Sequence, residues 1–275
     1  MTSARRLVQR AAQVGAPVLL LGETGTGKSL VARAIHGAGT RDPFVPVNCA
    51  AIPEALFESE LFGHRRGAFT GASEDRVGLI ESAHGGTLLL DEVGDLPPAQ
   101  QAKLLTVIED GEVRPVGARS VRRVDVRVIS ATSLDLRERV ANGGFRRDLF
   151  HRIALLTIRL PPLRERPEDL PALADHFLQG AGARLGLSPR GLETGTLRLL
   201  ERHTWPGNVR ELAHALEAAL ILAGGADRAR FEEALVGGIG SRHGAGPDGE
   251  PAPPRGGEAI RYSFFGSPDD KGRSI

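Results

Sequence analysis

Residues Gly22-Glu23-Thr24-Gly25-Thr26-Gly27-Lys28-Ser29 fill every fixed position of a phosphate-binding loop, directly after the apolar run Val18 to Leu21 and before a helical pattern. No other feature of the chain constrains its fold as strongly, because the loop works only as the turn between a parallel strand and a helix. Its glycines let backbone N–H groups curl around phosphate oxygens, and the helix N-terminus adds partial positive charge. Lys28 then reaches the β and γ phosphates of a nucleoside triphosphate, and Ser29 ligates Mg²⁺. A glycine-rich turn that merely contains a lysine would lack these flanks.

The rest of the first 160 residues agrees with such a loop. Short apolar runs alternate with longer amphipathic stretches, as expected for βαβ units and a parallel sheet covered by helices. Strands are predicted at Val18 to Leu21, Phe44 to Val47, Thr87 to Leu90, Val126 to Ser130 and Leu155 to Leu160. The run Thr87 to Leu90 ends in Asp91-Glu92, the form of a Walker B strand. Asp91 would hold the metal through its hydration shell, and Glu92 would orient the attacking water. Alone, that pair reads equally well as a solvated turn; the loop upstream selects the chemical reading.

Pro161 and Pro162 stop the α/β pattern. Helices are predicted near Asp169 to Leu185, from the Ser188-Pro189 start signal to about His203, and from Asn208 to Leu222. The expected organisation is an α/β nucleotide-binding domain over residues 1–161, a small all-helical lid over 162–240, and a disordered tail over 241–275. Past Gly224 only Phe231 to Val236 is apolar, and 12 of the last 33 residues are Gly or Pro, a composition that cannot bury a core.

Lys and Arg number 35 against 34 Asp and Glu, a net charge of +1. That balance gives no global attraction to nucleic acid or an acidic membrane. A single cysteine, Cys49, excludes an intrachain disulfide framework and a multi-cysteine zinc site. No apolar run approaches the roughly 20 residues that cross a bilayer, and no signal-peptide core follows Met1, so a cytoplasmic location is expected.

Three further segments carry a family resemblance. Val47-Asn48-Cys49-Ala50-Ala51, Glu60-Leu61-Phe62-Gly63-His64 and Gly67-Ala68-Phe69-Thr70-Gly71-Ala72 together resemble the AAA+ central domain of bacterial sigma-54-dependent transcriptional activators. The likeness extends from about Arg5 to Leu222. It implies an ATPase that uses ATP and Mg²⁺, assembles as a hexameric ring and contacts the sigma-54 RNA polymerase holoenzyme. On the residues alone, Phe69 and Thr70 between glycines suggest an aromatic tip on a flexible hairpin. The resemblance makes Gly67, Ala68, Phe69, Thr70, Gly71 and Ala72 the sigma-54 contact.

Other roles come with the resemblance. Asn48 matches a switch residue that holds Glu92 away from water. Residues 95–121 align with a second surface loop and its helix, and Arg127 to Leu134 with the sensor I strand, Thr132 standing at a matching position. Ser133 replaces an Asn common in the family, and its shorter hydroxyl is expected to alter sensing of the γ phosphate. Arg146 and Arg152, within Phe145 to Arg152, fall on two arginines that act on the neighbouring subunit's ATP; charge alone would read them as a solvated helix face. Trp205 to Leu212 matches sensor II, which places Arg210 near the phosphates and lets Trp205 anchor its helix.

The chain also departs from that pattern. It starts at the family's first helix, without the segment that helps wrap adenine, so reduced nucleotide affinity is expected. No helix-turn-helix pair follows Gly224 and no sensory domain precedes Arg5, so no direct DNA-binding module is expected. A truncated or frame-shifted gene would look the same. A non-catalytic subunit that binds ATP and joins or poisons rings of intact relatives is therefore the alternative. Another AAA+ machine, of metal-chelatase or helicase-loader type, is disfavoured by Gly67 to Ala72.

Overall fold

The computed structural model describes residues 2–187, 192–224 and 228–240. The Ser188-Pro189 start signal and the 241–275 tail lie outside the described residues.

In chain order the first half comprises α1 (Thr2–Gln13), β1 (Val18–Leu21), α2 (Lys28–Gly37), β2 (Phe44–Asn48), α3 (Glu54–Phe62), β3 (Gly63–His64), β4 (Arg76–Val77), α4 (Leu79–Ser82) and β5 (Thr87–Asp91). There follow α5 (Pro98–Asp110), β6 (Glu112–Val113), β7 (Arg122–Arg123), β8 (Arg127–Thr132), α6 (Leu136–Ala141), α7 (Arg147–Ile153) and β9 (Leu156–Arg159). Helices α8 (Leu170–Leu185), α9 (Thr194–Arg202), α10 (Asn208–Ala223) and α11 (Arg228–Gly240) complete the described chain.

Five strands form one parallel sheet in the order β2-β5-β8-β1-β9. Because side chains alternate along a strand, its continuous apolar runs feed a core on each face. Leu19, Leu88, Leu90 and Val128 point to the side that carries Phe57, Leu104 and Leu149. Val18, Leu20, Leu89, Ile129 and Ile158 point to the opposite side, against Ala32 and Ile35. Each such leucine or isoleucine contributes about 1.5–3 kcal/mol through burial. All five predicted strands are present, within two residues at either end. The two-residue strands were not foreseen: β3 and β4 form one antiparallel pair and β6 and β7 another, and they form the bases of two surface loops.

Beyond Pro161 and Pro162 the described chain is helical, with its own apolar core of Leu170, Leu178, Leu200, Trp205, Leu216 and Phe231. Gly186 and Gly224, both with φ near 65°, end α8 and α10 in the left-handed turn that favours glycine. Helix α11 is longer than the apolar segment expected from the sequence. Phe231 and Leu235, one turn apart, are buried, and α11 packs on α10, so tertiary contact outweighs the weak helix propensity of Gly237 and Gly238.

Candidate functional site

Parallel register places the functional ends of four strands along one edge of the sheet. Asn48 pairs with Asp91, Asp91 with Ala131, and Leu21 with Thr132. The phosphate loop leaves β1 at that edge, where ligands bind in open α/β sheets. Gly25 and Gly27 turn it with φ of 79° and 102°. A cavity of about 610 Å³ opens there, lined by Gly25, Lys28, Ser29, Asp91, Glu92 and Arg210 among others.

Inside it the polar groups are already engaged with one another. Lys28, 5 % exposed, donates from Nζ to the carbonyls of Gly22 at 2.9 Å and Glu23 at 3.4 Å. The same ammonium lies 3.4 Å from Oε1 of Glu92. Ser29 Oγ donates to Oδ2 of Asp91 at 2.8 Å, and Asp91 Oδ1 accepts from the Glu92 amide at 3.2 Å. Thr26 Oγ1 closes the loop on the Glu23 carbonyl at 2.8 Å.

Glu92 is held in a strained backbone, with φ 52°. Its Oε2 accepts from both the amide of Ser133, at 3.0 Å, and the hydroxyl of Ser133, at 3.1 Å. No hydrogen bond joins it to Asn48, whose Oδ1 instead accepts from Ala50 N at 3.1 Å and caps the turn Cys49–Ala51. Asn48 does line the cavity. Thr132 is fully buried, and its Oγ1 accepts from Leu134 N, so its side chain serves the backbone and Ser133 lines the cavity in its place. Cys49, beside Asn48, is buried; desolvation first, and the charge of Asp91 second, push its thiol up to about 12.

The lid grips the outer side of the phosphate loop. Val209 N and Arg210 N donate to the Gly25 carbonyl at 3.0 and 3.3 Å, and a Cβ on Gly25 would lie 2.2 Å from the Gly207 carbonyl. Arg166 Nη2 donates to the Thr26 carbonyl at 3.0 Å. Asn208, fully buried with φ 53°, donates to Glu23 Oε2 and to the Thr24 carbonyl, both at 3.1 Å, and accepts from Leu163 N at 2.8 Å. Arg164 completes a bidentate pair with Glu23 at 2.9 and 2.5 Å. Arg164 first, and Asn208 second, hold the Glu23 carboxyl down at about 2. The sequence carries no signal for these grips: Glu23 stands at a variable position of the loop, and Arg210, expected near the phosphates, holds the loop through its backbone N–H.

Arg146 and Arg152 do not line the cavity of their own chain. Both are exposed. Arg146 forms a two-point pair with Asp148, Nε to Oδ1 at 3.0 Å and Nη2 to Oδ2 at 2.7 Å. That guanidinium, together with the Leu149 amide, holds Asp148 below the usual carboxylate range. Arg152 lies 3.8 Å from Glu109.

Gly67 to Ala72 lies on the far hairpin, between β3 and β4. Gly67 N donates to Ala72 O at 2.9 Å and Ala72 N to Phe69 O at 3.0 Å. Gly67 and Gly71 have positive φ. Phe69 is 42 % exposed, its ring edge-on to His64 at 5.0 Å, while Ala72 is buried. Thr70 is exposed. Among the described residues no helix is long and apolar enough to cross a membrane, and no group of three or more His, Cys, Asp or Glu is placed to hold a metal.

Comparison with known proteins agrees with this geometry. The sequence profile of the sigma-54 interaction domain matches residues 1–159, and that of an AAA+ ATPase lid domain matches residues 164–233. The anaerobic nitric oxide reductase transcription regulator NorR of Escherichia coli O7:K1 is 51 % identical over 225 residues, 81 % of this chain and 45 % of its own length. The nitric oxide reductase transcription regulator NorR2 of Cupriavidus necator is 54 % identical over 209 residues, 75 % of this chain and 40 % of its own. The chain thus spans less than half the length of these relatives. Among solved structures, NtrX from Brucella abortus in complex with ATP superposes with a TM-score of 0.75 at 40 % identity, covering 81 % of this chain and 51 % of that one. By the match over residues 1–159, the chain belongs to the sigma-54 interaction domain family, an AAA+ ATPase core with its helical lid.

Proposed function

We propose that this chain binds ATP with Mg²⁺, hydrolyses it between neighbouring copies in a hexameric ring, and uses the cycle to press the Phe69 loop on sigma-54 RNA polymerase, activating transcription in the cytoplasm. The boundary between its α/β domain, 1–161, and its lid, 162–240, is drawn at Pro161 and Pro162. The observation that carries the proposal is the convergence of Lys28, Ser29, Asp91 and Glu92 in one cavity, with every bond among them within 3.4 Å.

Each group has a task there. The triphosphate takes the place of the Gly22 and Glu23 carbonyls and of Glu92 as partner of the Lys28 ammonium. Glu92 is thereby released to orient a water in line with the γ phosphorus and accept its proton. The Ser29 hydroxyl and Asp91 carboxylate, 2.8 Å apart, are hard oxygen groups of the kind Mg²⁺ takes and would hold it, Asp91 through its hydration shell. Held there, Mg²⁺ would supply positive charge against the triphosphate. Arg210, on the lid, faces the same phosphates. A neighbour's Arg146 and Arg152 supply the last positive charge; their absence from the cavity of their own chain supports a role in trans.

The test is turnover of Mg-ATP by purified protein, with nucleotide-dependent association with sigma-54 followed in parallel. The proposal expects turnover abolished by Lys28→Ala and by Arg146→Ala, and association abolished by Phe69→Ala. ATP binding without turnover, combined with inhibition of a full-length relative on mixing, would replace it with the passive-subunit reading.

A further inference from the structure

Gln101 sits in the middle of α5 and is only 1 % exposed. A buried primary amide must satisfy two donors and an acceptor, and this one satisfies all three across a gap in the sequence. Its Nε2 donates to the Leu96 carbonyl at 2.9 Å and to the Gly144 carbonyl at 3.2 Å, while Oε1 accepts from the Arg146 amide at 2.8 Å. Two carbonyls on one side and an N–H on the other admit only one orientation of the amide.

The partners lie on two functional segments. Leu96 ends the tight turn Val93–Asp95 that begins at Glu92, which lines the cavity. Gly144 and Arg146 form the loop that presents the exposed guanidinium of Arg146. A second strut runs alongside. Asp95, which lines the cavity, lies 3.6 Å from Nη2 of Arg139, and the Arg139 carbonyl accepts from Gly144 N at 2.8 Å and Phe145 N at 3.1 Å.

We infer that Gln101 is a positioning residue that fixes the Arg146 loop to the turn after Glu92 and so holds the arginine a subunit offers to its neighbour. This rests on the trans-arginine reading above. A buried amide bonded to backbone on both segments transmits displacement rigidly, because leaving any of its partners unpaired is costly. A displacement of even 1 Å at a transferring phosphoryl group is enough to lose most of the rate.

The experiment is Mg-ATP turnover in mixtures of variant subunits. Lys28→Ala lacks a site and keeps its arginine; Arg146→Ala keeps its site and lacks the arginine; mixing the two must restore turnover if the arginine acts in trans. Gln101→Met, which preserves volume, is expected to bind ATP as the parent does and to lose turnover by roughly tenfold to a hundredfold alone. Lys28→Ala subunits should rescue it, and Arg146→Ala subunits should not. Gln101→Ala should give the same pattern. Rescue of both by Arg146→Ala, rescue by neither partner, or unchanged turnover would overturn the assignment. Failure of the Lys28→Ala with Arg146→Ala control would instead remove the trans reading and the assignment together.

Discussion

At the scale of single residues, the site is held by charge pairs whose consequences can be measured. Glu23 has a folded-state value of about 2 against 4.5 for a free carboxyl. Because the folded value is the lower one, the contribution of its bonds to Arg164 and Asn208 is complete above pH 4.5 and drains away as the pH falls toward 2. The carboxylate is 42 % exposed, so solvent screening limits the gain to about 1 kcal/mol. Glu23→Gln should cost about that much at pH 7 and nothing near pH 2, read from urea unfolding midpoints at both. Cys49 offers a second test. Buried and pushed up to about 12, it should resist a maleimide in the native state and react at the rate of a free thiol in denaturant, followed by mass spectrometry. The sequence could not reveal that Ser133 rather than Asn48 bonds Glu92. That contact depends on the parallel register of β5 and β8, which brings together residues 41 positions apart.

At the scale of elements, legibility followed the strength of the local pattern. The five sheet strands were readable because burial on both faces leaves unbroken apolar runs between turn signals. Strands of two residues carry no period, so β3, β4, β6 and β7 were not. Gln101 is illegible for a related reason: glutamine in a helix reads as solvent-facing, and its burial goes with bonds to the loop before α7, far away in the sequence. The resemblance places Arg210, on α10, near the phosphates, but the bonds of Asn208 to the phosphate loop are not legible, since they join residues more than 180 positions apart. Two predictions belong here. Asn208→Ala leaves Leu163 N and the Thr24 carbonyl unpaired beside the loop, and should destabilise the protein by about 1–3 kcal/mol while weakening ATP binding. Gly25→Ala must fit a Cβ 2.2 Å from the Gly207 carbonyl at φ 79°, so the lid should detach from the loop. Hydrogen exchange should then rise across the first turn of α10 while the sheet stays protected.

At the scale of the whole molecule, the proposed function divides a catalytic centre into two halves that do not meet within one copy. Among the residues that line the cavity of Lys28, Ser29, Asp91 and Glu92, the cations are Lys28 and Arg210 of the same chain, and Arg146 and Arg152 are not among them. Arg146 meanwhile stands exposed, occupied by its own Asp148, and on the proposed function would exchange that carboxylate for a neighbour's phosphate. On the proposed function, catalysis belongs to the interface between copies and nucleotide binding to the single chain. The most direct measurement compares ATP affinity and turnover in Arg146→Ala and the parent protein. An unchanged Kd with turnover reduced on the order of 10³-fold is predicted from the part such arginines play in phosphoryl transfer. Turnover equal to that of the parent, at the same affinity, would contradict it.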